Sequence, residues 1–190
     1  MNESGALTDN VADVTATLKF HCETARRYLV LLAISLWLGG FTFYSVVVIH
    51  TAHRVLDSML ETGLITQQVS NWLNIIGVGA LLILLWNTAV EWRHGTQVRW
   101  LLSAGWLIMT AIQVWLFLLH PVLDRQINLE TRHLVDRQQF RPVHTFYVTL
   151  STVQWAAGLI YLFCTLHAWR VHDNGIFRNL QPVQSSTVDT

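Results

Sequence analysis

Four apolar stretches, each more than 20 residues long, constrain this chain more than any other feature: Tyr28–Ile49, Trp72–Trp92, Trp100–His120 and Thr145–Ala168. The first contains no charged residue. A helix needs roughly 20 such residues to cross a hydrocarbon core about 30 Å thick, where no water satisfies the backbone. The pattern therefore predicts an all-α fold, an integral membrane four-helix bundle. Of the 190 residues, 52% are hydrophobic and 13% charged, which sets the chain apart from ordinary soluble domains. The 12 basic and 12 acidic residues cancel, so no net field recruits nucleic acid. The lipid bilayer is the expected partner, with a membrane complex or a second copy of the chain beyond it. Cys22 and Cys164 are too few for a disulfide framework.

Three segments are expected: a polar, amphipathic N-terminal segment at 1–27, a four-span domain at 28–168 and a flexible C-terminal tail at 169–190, disordered from Asp173 onward. Glu3, Asp9 and Asp13 make the N-terminus unlike a secretory signal, so the first span is expected in the mature protein. Four spans put both termini on one side of the cell (inner) membrane. Seven basic residues flank that side (Lys19, Arg26, Arg27, Arg93, Arg99, Arg170 and Arg178) and five the other, which places the termini in the cytoplasm. Trp72, Trp92, Trp100 and Trp169 end spans, as an interfacial belt requires. Trp37, Trp86, Trp106, Trp115 and Trp155 lie deeper and are expected to pack between helices. Gly63 offers a helix stop and Thr66 a cap for the second helix. Apolar and charged residues mix over Pro121–Val143, which predicts an amphipathic helix lying in the interface. Gly39, Gly40, Gly77, Gly79, Gly105 and Gly158 read as close helix packing.

Nine histidines are many for this length, and their placement matters more than their number. His50, His120 and His144 end three different helices on the side opposite the termini. His53 and Asp57 share a helical face with His50. Imidazoles and a carboxylate on facing helices suit a divalent transition metal, so His50, His53, Asp57, His120 and His144 form the candidate metal set. Half-wet interfacial histidines are the plainer reading. Beneath them, Thr42, Ser45, Gln113, Thr149, Ser151, Thr152 and Gln154 lie about 7–17 Å in from the same end, as glue between helices or the lining of a cavity. Non-covalent haem b is the alternative cofactor, with axial ligands drawn from His50, His120, His144, His94 and His167. Cys22, His21, Cys164 and His167 spell a weaker zinc inventory at the other end. Glu91, one residue before Trp92, reads as an interfacial residue that reaches water. No nucleophile–base set, phosphate loop or dinucleotide fingerprint is present.

The run Ser35-Leu-Trp-Leu-Gly-Gly-Phe-Thr-Phe-Tyr44 resembles the opening helix of DUF4149-type proteins, which include the TMEM205-like group. Val69–Asn74 and Ser151–Trp155 are similar to segments of that group, and Leu36–Gly40 is more loosely similar to CopD-like copper-resistance membrane proteins. The resemblance implies a multi-pass bundle of unassigned activity over about residues 28–168. Its copper branch favours the histidine face, although Met1, Met59 and Met109 supply no methionine-rich path. The residues point to a non-catalytic membrane protein that binds or handles a metal or small solute. A haem b electron carrier or oxidoreductase subunit is the alternative, and a structural subunit of a larger complex the third.

Overall fold

Helices occupy all four apolar stretches. The computed structural model describes residues 3–56, 59–92, 96–124, 127–128, 133–134 and 137–180, with side chains over 13–56, 61–92, 99–123 and 141–175. Helix α1 (Glu3–Phe43) passes through a π-helical turn (Tyr44–Val48) into α2 (Ile49–Val55). Helices α3 (Met59–Glu91), α4 (Thr96–Asp124) and α5 (Arg137–Leu180) follow. Four of these segments are long and apolar enough to cross a membrane: Asp13–Val55, Glu61–Glu91, Arg99–Leu123 and Arg141–Gly175. At 44 residues α5 is about 66 Å long, twice a hydrocarbon core of about 30 Å, so it extends well beyond a bilayer.

Cross-helix contacts set the directions. Arg26, just before the apolar stretch of α1, meets Glu91 at the end of α3 at 2.8 Å. On α3 and α5, Asn74 bonds Tyr147 and Asn87 bonds Tyr161, so those two helices run parallel to each other and opposite to α1. Arg27 binds Asp173 through two 2.8 Å contacts, which brings the start of the apolar stretch of α1 and the late part of α5 to the same end. Helix α4 packs on α3 and α5, and α1 packs on α3 and α5.

The interior is apolar in its middle. Val30, Ile34, Trp37 and Leu38 of α1 close on Ala80, Leu81 and Leu84 of α3, on Leu102 and Met109 of α4, and on Tyr161 of α5. A smaller cluster of Ile112, Leu116, Leu123 and Tyr147 lies toward the histidine end. Most other large apolar side chains face outward, as lipid contact requires. Trp72, Trp92 and Trp100 are among them, in keeping with a belt. Trp169 instead is buried, and Trp86 and Trp115, expected between helices, face outward. Their positions on α3 and α4 lie off the faces that carry Leu84 and Met109.

Several local expectations change. The first long helix stops at Leu56, whose backbone is extended (φ −99°, ψ 122°), rather than at Gly63. Gly63 and Thr66 therefore lie inside α3, and no cap forms at Thr66. An interfacial helix over 121–143 is not among the described elements. Helix α4 carries through Pro121 to Asp124, α5 begins at Arg137, and between them β1 (Ile127–Asn128) pairs antiparallel with β2 (His133–Leu134). Residues 173–180, expected to be disordered, are helical, because α5 continues through Asp173 to Leu180. Burial of Trp169 and the Arg27–Asp173 pair give that helical end tertiary contacts a tail would lack. At the other end, α1 runs from Glu3 into the first span without a break.

The glycines divide into two groups. A Cβ at Gly77 would stand 2.8 Å from both Gln113 Oε1 and Trp37 Nε1, and one at Gly158 would stand 2.9 Å from Leu38. Those glycines admit a neighbouring helix. Gly39 and Gly79 meet nothing within 4 Å, so they face outward.

Candidate functional site

Two polar layers cross the interior, one at each end of the apolar middle. The layer nearest the termini is charged. Its centre is Arg26, 3% exposed, and its principal acceptor Glu91 is 2% exposed. Arg26 Nη2 donates to Glu91 Oε1 at 2.8 Å and to Glu23 Oε1, Nε donates to Glu23 Oε2 at 3.2 Å, and Nη1 donates to Asn87 Oδ1. Asn87 passes the contact on, its Nδ2 donating to Tyr161 Oη at 3.4 Å. The Tyr161 and Thr88 hydroxyls stand 2.8 Å apart, and both lie against the Leu84 carbonyl. Arg27 donates to Glu23 at 2.9 Å and grips Asp173 in bidentate fashion. Both guanidinium groups lie over the Trp169 ring, at 6.0 Å for Arg26 and 5.3 Å for Arg27. Three helices are tied together by this one charge group.

A buried charge is tolerated only when paired and hydrogen-bonded, and Arg26 satisfies both conditions. Glu91 is therefore not the water-reaching interfacial residue expected from its position beside Trp92. The helix turns it inward to Arg26, while Trp92 faces outward. A signal for the layer exists in the sequence: Asn87 and Glu91 are four apart on α3, and Glu23, Arg26 and Arg27 are three and four apart on α1. Their cross-helix pairing does not follow from that spacing. One donor in the layer remains without an acceptor, Trp169 Nε1, and the buried Thr165 hydroxyl lies beside that of Tyr161.

The second layer is neutral. Gln154 Nε2 on α5 donates to Gln113 Oε1 on α4 at 2.8 Å and to the Met109 carbonyl at 3.1 Å. Gln113 Nε2 donates toward Asn74 Oδ1 at 3.3 Å and the Asn74 carbonyl at 3.4 Å. Asn74 Nδ2 in turn donates to Tyr147 Oη at 2.9 Å. The Tyr147 ring lies against His120, with centroids 6.3 Å apart. Trp155 Nε1 donates to Thr42 Oγ1 at 3.1 Å at the outer margin.

Of the polar interior expected from the sequence, Gln113 and Gln154 meet directly and Thr42 joins through Trp155. Ser151 is buried, bonding the Tyr147 carbonyl, and Ser45 is half-buried. Thr149 and Thr152 face outward and donate to carbonyls of their own helix. Asn74 and Tyr147, absent from the expected set, complete the layer.

The candidate metal residues are placed less closely. His50, His53 and His144 are exposed, His120 is half-buried, and Asp57 lies outside the described residues. Among the described residues no three His, Cys, Asp or Glu side chains come together as a metal ion requires. The π-turn at Tyr44–Val48 adds a residue to its turn and rotates everything after it by about 100°, which changes the face on which His50 and His53 emerge. Of the further haem candidates, His167 is exposed and His94 lies outside the described residues. Cys22 and His21 are exposed, and Cys164 is half-buried and free.

No protein family, curated protein or solved structure matches the chain.

Proposed function

We propose that the chain is a non-catalytic, multi-pass four-helix bundle of the inner membrane, with both termini cytoplasmic, that serves as a membrane subunit with a closed interior. The observation that carries this reading is the cross-helix pairing of the principal polar side chains of its interior. Arg26, Glu91, Asn87, Tyr161, Asn74, Gln113 and Gln154 are bound to one another across helices, with Met109 and Leu84 fully buried between the layers. Polar groups in that state act as glue between helices. The DUF4149-type resemblance agrees with such a bundle. Reconstituted into liposomes holding a pH-sensitive dye, the protein is expected to leave proton flux at the level of protein-free liposomes. Flux that Asn74→Leu or Glu91→Gln abolishes would overturn the reading.

A second reading rests on His120. Its contact with Tyr147 links the histidine end to the Asn74–Gln113–Gln154 chain, so a metal or small solute held there would touch the interior. Metal content by plasma mass spectrometry tests it. One copper or zinc per chain, lost in His120→Ala, supports a histidine site; a metal-free wild type removes it. Iron at that stoichiometry with a Soret band would favour haem b.

A further inference from the structure

Arg99 differs from the paired arginines of α1 in its surroundings. Arg26 and Arg27 each have two carboxylate partners. Arg99 pairs with no carboxylate among the described residues, and its Nε is buried without an acceptor. The guanidinium carbon lies 5.4 Å from the Trp92 ring and 5.7 Å from the Trp100 ring. Those indoles are 59% and 65% exposed, so the cation is framed by aromatic walls that open outward.

Depth defines what meets it there. Arg99 lies in the first turn of α4, immediately before the apolar run that begins at Trp100, and Trp92 closes the apolar run of α3. Arginine and tryptophan at that boundary lie at headgroup level, with the indole bodies in the apolar zone and the cation directed toward the polar one. The buried Nε lacks a protein acceptor, which is costly, and the planar fork of a guanidinium matches phosphate oxygens. We infer that Arg99, Trp92 and Trp100 form a site for the phosphate of an anionic phospholipid headgroup. The site holds one lipid of the boundary layer by a charge-assisted contact, with the acyl chains running down the outward faces of α3 and α4.

The test uses the full chain in detergent, offered equal amounts of phosphatidylglycerol and phosphatidylethanolamine, with retained lipid read by native mass spectrometry. The wild type is expected to keep a phosphatidylglycerol adduct. Arg99→Gln is expected to lower its retention at least about fivefold, the attraction of one cation for an anionic headgroup. Arg170→Gln, a charge removed from an exposed position at the same end, is expected to leave the adduct in place. Unchanged retention in Arg99→Gln, or an equal loss in Arg170→Gln, overturns the site. Displacement of the lipid by inorganic phosphate overturns it too, since the ligand would then be a free anion. Should Arg99→Gln fail to fold, Trp92→Leu/Trp100→Leu removes both exposed walls instead; retention must fall there as well, and a wild-type adduct in that variant overturns the inference. Protein that remains in solution without detergent would fail the membrane reading itself, which is a separate result.

Discussion

The two polar layers are built alike and balanced differently. Each joins an asparagine of α3 to a tyrosine of α5, Asn87 to Tyr161 near the termini and Asn74 to Tyr147 at the histidine end. The two asparagines are 13 residues apart and the two tyrosines 14, about 20 Å along parallel helices. One layer adds Arg26, Arg27, Glu23, Glu91 and Asp173; the other adds only amides. The lesson concerns fragility. A neutral hydrogen bond between membrane helices is worth about 0.6 kcal/mol on average, because the separated helices also find partners. A broken buried ion pair leaves a charge with nowhere to go.

That contrast is tested most sharply at Glu91. Glu91→Ala is expected to destabilise the protein by about 3 kcal/mol, the low end for breaking a buried ion pair because Glu23 still holds Arg26, read from unfolding in a detergent denaturant titration. Arg26→Met combined with Glu91→Leu should recover much of that loss, and a double variant as weak as the single one would mean the pair is not coupled. Next in size is Gly77→Ala, whose new methyl would press on Gln113 and Trp37 at 2.8 Å. A loss of about 1–3 kcal/mol is expected from such overpacking, and a neutral result would show that the neutral layer yields readily. Asn74→Leu removes a link of that layer and should cost no more than about 1.7 kcal/mol, the upper end for single hydrogen bonds between membrane helices. A loss matching that of Glu91→Ala would erase the distinction between the layers. The smallest effect is expected at Thr165, fully buried with its hydroxyl beside that of Tyr161. Thr165→Val keeps the shape and removes only that contact, so a loss below about 1 kcal/mol is expected; a larger drop would make the contact a principal tie of the layer.

Some of the neutral layer was readable without coordinates. Gln113 and Gln154 stand out because amides in an apolar run must bond something, and they bond each other. Thr152 misled for the same reason in reverse: a hydroxyl satisfies itself on its own helix and so needs no interior. Trp86 and Trp115 misled because depth in a span does not say which face a side chain occupies. Glu91 misled because its neighbour Trp92 is interfacial, yet one helical step of about 100° separates an outward residue from an inward one. His50 and His53 cannot be phased from Thr42 by counting, since the π-turn adds a residue that no spacing rule announces.

The sequence by itself determined the helices, their number as membrane-crossing candidates and the outward apolar surface, because a hydrocarbon solvent leaves the backbone few alternatives and length alone selects them. Only the tertiary structure decided which polar groups meet. Arg26 reaches Glu91 across 65 residues, and Arg27 reaches Asp173 across 146. Those pairings depend on the relative rotation and direction of whole helices. Composition and periodicity carry no information about that rotation until the small side chains at Gly77 and Gly158 have set how closely the helices approach.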